Sequence, residues 1–251
     1  MKNRKWEIIL GFGIGIFSIA MFVWHFLLFS VPANYFDKYP AGTIFYDRNV
    51  VSPWANLLFF TNQTLLIFAG WCLLIGIHGI SRSEKLKNFV YSENTMNFVF
   101  TNYLITFLLY TIMELIGRRE FGLYGTSLDA WFSFFRNIAI HYILFFVCTA
   151  LFFKLKPAKE FSNKTYLYSG IYLLCYYLVA RIIGRFCFRV EWYPYMFFHS
   201  KVLWNFLGLG PYNQFVAIAL MFIVMVAILG LYFLLLFAVR NIKSLSLQRN
   251  E

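Results

Sequence analysis

The sequence predicts an all-α integral membrane protein, a bundle of about six transmembrane helices, and three observations carry that prediction. Six stretches hold roughly 20 predominantly apolar residues each, the length a helix needs to cross the hydrocarbon core. Charged residues make up only 13% of the chain and the mean hydropathy is +0.64, beyond what a soluble domain of this length shows. No stretch alternates apolar and polar residues as barrel strands do, and a backbone crossing lipid must satisfy its own hydrogen bonds, which a helix does. Residues 1–251 therefore read as a single transmembrane domain.

The first span, 7–31, follows the basic start Met1 to Lys5 and superficially resembles a signal peptide. Its apolar run is about twice a signal core and no small-residue cleavage site follows, so it is expected to be a retained helix. The second span, 54–79, is apolar except for four adjacent hydrogen-bonding side chains, Thr61, Asn62, Gln63 and Thr64. A polar cluster at that depth costs free energy unless it faces protein or water. The third, 96–116, carries Asn97, Asn102 and Glu114. The fourth, 131–153, carries Asn137 and His141, and Arg136 is expected to stand above the lipid. The fifth, 166–184, runs up to Arg181 and Arg185, and the sixth covers 214–239.

Two longer connections separate these spans. The one from Pro32 to Pro53 is polar enough to cap a bundle. The one from Phe186 to Tyr212 includes Trp192 and Tyr193, whose amphipathic rings suit a re-entrant or interfacial piece. No repeat, low-complexity tract or soluble domain is visible, which argues against an inverted-repeat transporter.

A net charge of +11 raises the question of nucleic acid. The basic residues form short clusters between apolar runs and no continuous basic face, so positive loops flanking membrane helices explain them and a nucleic-acid partner is not expected. More than half of the 22 basic residues lie on one side: Lys2, Arg4, Lys5, then Arg82, Lys85, Lys87, then Lys154, Lys156, Lys159, Lys164, and finally Arg240, Lys243, Arg249. That excess predicts both termini in the cytoplasm. Phe-, Ile-, Asn- and Lys-rich usage points to an AT-rich bacterial genome, with the plasma membrane as location. Cys72, Cys148, Cys175 and Cys187 show no metal-ligand spacing and read as small apolar fillers, so neither a metal nor another cofactor is expected.

With this orientation the ionisable groups of the spans collect toward one leaflet: His25, Glu114, His141, Arg181 and Arg185. Thr61 and His141 form the pair with chemical potential. A threonine hydroxyl attacks only when a base takes its proton, and a neutral imidazole is the usual base. Asn137 precedes His141 by four residues and shares its helix face, where it can orient the ring or stabilise an oxyanion. Arg181 and Arg185, also four apart, can hold a carboxylate. Each has a plainer reading: a threonine bonded to its own i−4 carbonyl, a histidine joining helices, arginines snorkelling to the interface.

Three short motifs occur in a telling order: Phe59-Phe60-Thr61 at the second span, His141 in the fourth, and Trp192-Tyr193-Pro194-Tyr195 before the last. In that order the chain resembles the androgen-induced family of membrane threonine hydrolases, as a divergent bacterial-type six-pass relative. The resemblance implies a multi-pass bundle that hydrolyses fatty acid esters of hydroxy fatty acids without a metal. It puts Thr61 on the catalytic threonine, His141 on the catalytic histidine, and Trp192 and Tyr193 on the aromatic-proline signature beside substrate. The chain departs from the family in its polar Asn-Gln-Thr after Thr61 and in lacking a proline soon after His141. Partners implied are membrane lipid and a lipid-like ester. Two readings stand beside this one: a non-enzymatic transport or lipid- and anion-binding protein, and a structural membrane subunit.

Overall fold

The computed structural model describes residues 2–27, 57, 59–116, 127–186, 203–205 and 207–248. The connection 32–53 and the residues Trp192 and Tyr193 lie outside them. The protein is an all-α helical membrane bundle: α1 (Lys2–Leu27), α2 (Phe60–Ser81), the short α3 (Glu84–Val90), α4 (Glu93–Ile116), α5 (Leu128–Ile138), a π turn (Ala139–Ile143), α6 (Leu144–Lys154), α7 (Lys164–Phe186) and α8 (Gln214–Gln248). Because α5, the π turn and α6 run on as one apolar segment, Ala130–Lys154, six helices are long and apolar enough to cross a membrane. The described residues hold no strand, only an isolated bridge between Ser92 and Lys159.

Two boundaries differ most from the sequence expectation. The sixth span was expected to end at residue 239, where α8 runs on as helix to Gln248. The second span was expected from residue 54, whereas α2 begins at Phe60, with Leu57 and Phe59 outside any α-helix. Hydropathy reports which residues tolerate lipid and says nothing of where the hydrogen-bonded ladder starts. Thr61 is thereby the second residue of its helix instead of lying two turns inside it.

Chain contacts divide the protein into two compact units. The first joins α1 to the segment Phe60–Tyr166 and to the last part of α8 from Leu234. Its tightest contact is the antiparallel pair of α1 and α2. A Cβ on Gly11 would stand 2.7 Å from the Cys72 carbonyl oxygen and 2.8 Å from the Gly76 Cα, so the two backbones touch there. Gly76 in turn receives the Phe12 ring, whose Cδ2 would lie 2.8 Å from an added Cβ. In lipid no hydrophobic drive separates helix from tail, so close backbone approach at small residues is what gives such a pair its dispersion energy.

The α4 helix is the hub of this unit. It meets α2 through the Thr64 and Thr106 hydroxyls, 3.3 Å apart, and through Phe68 edge-on to Tyr103. Along an adjoining stripe it meets the fourth span in a run of parallel ring stacks: Phe100 on Phe152 at 4.4 Å, Phe107 on Phe145 at 4.2 Å and Tyr110 on His141 at 3.6 Å. The contributing positions on α4 are 100, 103, 107 and 110, and on the fourth span 141, 145, 148 and 152. These three- and four-residue steps are those of a coiled-coil seam, here filled with rings and with Cys148 beside Tyr103.

The end carrying the N-terminus is tied by polar bonds. Tyr91 donates to Glu7 at 3.1 Å, joining α1 to the α3–α4 junction, and Trp71 donates to the Val90 carbonyl at 2.9 Å. Burial, and then the Glu7 carboxylate, push the Tyr91 hydroxyl above its ordinary range, so it stays a proton donor throughout the physiological range. Lys243, fully buried, donates to the Phe152 and Leu155 carbonyls and lies over the Phe152 ring at 5.0 Å. The last carbonyls of a helix lack intrahelical donors, so this ammonium both caps α6 and holds α8 against it.

The second unit is built from Leu167–Phe233. Within it α7 and α8 approach closely where a Cβ on Gly170 would meet the Phe233 ring at 2.9 Å. Trp204 donates to the Gly210 carbonyl at 2.9 Å and stands edge-on to Tyr212, closing a turn in which Gly208 and Gly210 have positive φ.

Gly11→Leu is expected to pry α1 from α2, destabilising the protein by about 1–3 kcal/mol. Gly13→Leu, where an added Cβ meets nothing within 4 Å, is expected to stay within about 0.5 kcal/mol of the parent. Thermal unfolding in detergent checks both, and equal midpoints for the two variants would contradict the packing described.

Candidate functional site

His141 is held where no ordinary α-helix would hold it. It is the central residue of the π turn, 8% exposed, in a segment whose hydrogen bonds are widened by one residue. The neighbouring Ile140 carbonyl accepts a hydrogen bond from the Tyr103 hydroxyl at 3.0 Å, a buried bond that ties the turn to α4. On the next residue, Tyr142 accepts from Thr111 at 3.2 Å and stands edge-on to Phe107. Three consecutive residues of the turn are thus fixed against α4, and the imidazole lies flat on Tyr110 with 5° between the planes. π turns inside α-helices occur frequently at functional sites, where they re-aim side chains.

Charged groups gather at the same end of the first unit. Arg136 is 9% exposed and within electrostatic reach of Tyr110, and Glu114 is 4% exposed, one turn beyond Tyr110 on α4. Arg136 is packed inside the protein. It precedes the buried Ile140 by four residues and so shares its face. Asn137 keeps its four-residue relation to His141 but is only half-buried. At this level, then, Arg136 is the more enclosed of the two adjacent side chains.

The register of the seams places Thr61. Thr64 pairs with Thr106 and Phe68 with Tyr103, so the first turn of α2 lies level with Tyr110, which is itself level with His141. Thr61 and His141 therefore occupy one level of the bundle, on two elements that both pack against α4. No hydrogen bond joins them among the described residues. The Thr61 side chain is half-buried, and its i−4 residue, Leu57, precedes the helix. Thr106 and Thr149 do bond their own i−4 carbonyls, at 2.9 and 2.8 Å, a use that Thr61 does not share.

Arg181 and Arg185 belong to the second unit, on α7, half-buried and exposed respectively. The side chain of His25 is not among those described. No group of three or more His, Cys, Asp or Glu side chains able to hold a metal occurs among the described residues.

Comparison with protein-family profiles, with curated proteins and with solved structures finds no match for this chain. The chemistry of the site rests on its own residues. Reading residues by type missed Tyr110, the ring on which His141 lies. Its signal was present in the spacing: Tyr110 continues the series Phe100, Tyr103, Phe107, and His141 continues the series Phe152, Cys148, Phe145.

Tyr103→Phe removes the buried bond to the Ile140 carbonyl. The expected cost is about 1 kcal/mol, read as a fall of about 2–4 °C in the unfolding midpoint. An unchanged midpoint would mean that this bond does not hold the π turn.

Proposed function

We propose that the protein is a multi-pass membrane hydrolase of lipid-like esters, with Thr61 as nucleophile and His141 as general base. The observation that carries the reading is the shared level of the two residues, one in the first turn of α2 and the other in a π turn, on elements that both reach Tyr103 of α4. The first turn of a helix turns its backbone N–H groups outward beyond its own ladder, which favours negative charge on a nucleophile placed there. The order of motifs shared with the androgen-induced hydrolases supports the same assignment.

In the proposed reaction the Thr61 Oγ attacks the ester carbonyl carbon and its proton passes to the His141 imidazole. Collapse of the tetrahedral species expels the alcohol, which leaves with the proton from His141. Water then attacks the acyl-threonine, again giving its proton to His141, and the free acid departs as Thr61 recovers its proton. Arg136, enclosed in the protein one turn before Ile140, stabilises the developing oxyanion, with Asn137 beside it. No hydrogen bond links the two reacting residues among those described, so a water relays the proton from Thr61 to His141, or the first turn of α2 closes on binding. Ester enters from the bilayer, which suits a protein most of whose described residues lie in its six apolar spans. The basic residues at the end bearing the N-terminus support cytoplasmic termini in a plasma membrane.

A second reading, anion or lipid-headgroup binding without turnover, is favoured by the burial of Arg136 itself. The two separate on substitution. For a hydrolase, Thr61→Ala and His141→Ala each lower turnover of a medium-chain aryl ester at least about 100-fold, while Thr61→Ala leaves the unfolding midpoint within about 2 °C. Turnover undiminished in folded Thr61→Ala removes the hydrolase reading. Anion binding that survives Thr61→Ala but is lost in Arg136→Gln establishes the second.

A further inference from the structure

A connection of nine residues, 155–163, links the fourth and fifth spans, which end at Lys154 and begin at Lys164. It is short, yet fastened at four points to the start of α4. Ala158 donates to the Tyr91 carbonyl at 2.8 Å and Glu93 to the Lys159 carbonyl at 2.9 Å, the bonds of the isolated bridge. Phe161 donates to the Glu93 carboxylate at 3.0 Å and Ser162 to the Asn94 side chain at 2.7 Å. The backbone is thereby held as a fixed platform, from which Lys156, Lys159 and Lys164 project exposed.

The other acids nearby are each held by a partner, Glu93 by the platform itself. Glu7 accepts from Tyr91, Glu93 accepts from Phe161, and Glu84 pairs with Lys87 at 3.2 Å, leaving Glu160 as the exposed acid of the connection. Positive charge therefore dominates outward. Aromatic rings line the same rim: Lys154 lies over Trp6 at 5.2 Å and Arg240 over Phe161 at 4.6 Å. Rings and long cationic side chains between two span ends place this face at the depth of lipid headgroups.

We propose that the Lys156–Lys159–Lys164 platform is a binding site for the phosphate of anionic phospholipid headgroups. A bilayer phosphate is the occupant favoured over a free one because the three ammonium groups stand where two spans leave the membrane. A lipid anchored there by its tails meets them at high local concentration. The fixed backbone makes the site saturable, where a mobile basic tail would give diffuse attraction alone.

The test uses the full chain in neutral detergent, titrated with phosphatidylglycerol, phosphatidylcholine or inorganic phosphate and followed by thermal unfolding. Phosphatidylglycerol is expected to raise the midpoint by at least about 3 °C, with phosphatidylcholine and inorganic phosphate giving less than a third of that shift. In K156Q/K159Q/K164Q the phosphatidylglycerol concentration for a half-maximal shift should rise about 100-fold, each surface charge contributing about fivefold. Should that variant not fold, the parent protein in about 1 M salt, where screening acts over about 3 Å, should lose the shift. An equal shift with phosphatidylcholine or with inorganic phosphate overturns the proposal. So does an unaltered response in the folded triple variant, or a shift that persists in high salt.

Discussion

Everything described at the candidate site depends on the stacked rings between α4 and the fourth span. Neighbouring helices in a bilayer gain nothing from hiding apolar surface, because lipid tails are equally apolar. What holds them is dispersion at close range and polar bonds with no competing water. Large flat rings at three- and four-residue steps supply the first along the whole seam, from Phe152 on Phe100 to His141 on Tyr110. Slipping one helix past the other by a residue would unstack every pair together, so the seam sets the register and the register sets the level of His141.

The π turn is the place where that seam is bent to another purpose. The ring ladder continues into it, but its last member on the fourth span is an imidazole instead of a benzene ring. The Tyr103 bond to Ile140 and the Thr111 bond to Tyr142 brace the turn on either side of that imidazole. At the opposite end, Glu7 with Tyr91, and Lys243 with the carbonyls of α6, lock the helix ends together. A bundle bonded firmly at one end and carrying Glu114, Arg136 and His141 toward the other is suited to hold a reactive side chain still while a ligand enters beside it.

Hydropathy made the six spans legible because the bilayer imposes both length and composition on a helix, and both can be read by counting. It could not place the start of α2, since Trp54 to Phe60 are as compatible with lipid as the helix itself. Nor could it reveal the π turn: no residue in Ala-Ile-His-Tyr-Ile marks a widened turn, which comes from tertiary bonds to Tyr103 and Thr111. The enclosure of Arg136 was equally invisible, because its charge was weighed against lipid and its neighbours are protein. Thr61 and His141 were visible as residue types, and their common level became visible only once Thr64, Phe68 and Tyr110 set the registers.

The most direct measurement is to treat the detergent-purified chain with a fluorophosphonate and map the adduct by mass spectrometry, with His141→Ala in parallel. An activated threonine predicts phosphonylation on the peptide bearing Thr61 and its loss in folded His141→Ala. A folded parent protein that takes up a spin-labelled phosphonate of the same size into its interior, yet carries no adduct on Thr61 or carries it on another hydroxyl, would contradict the Thr61–His141 account.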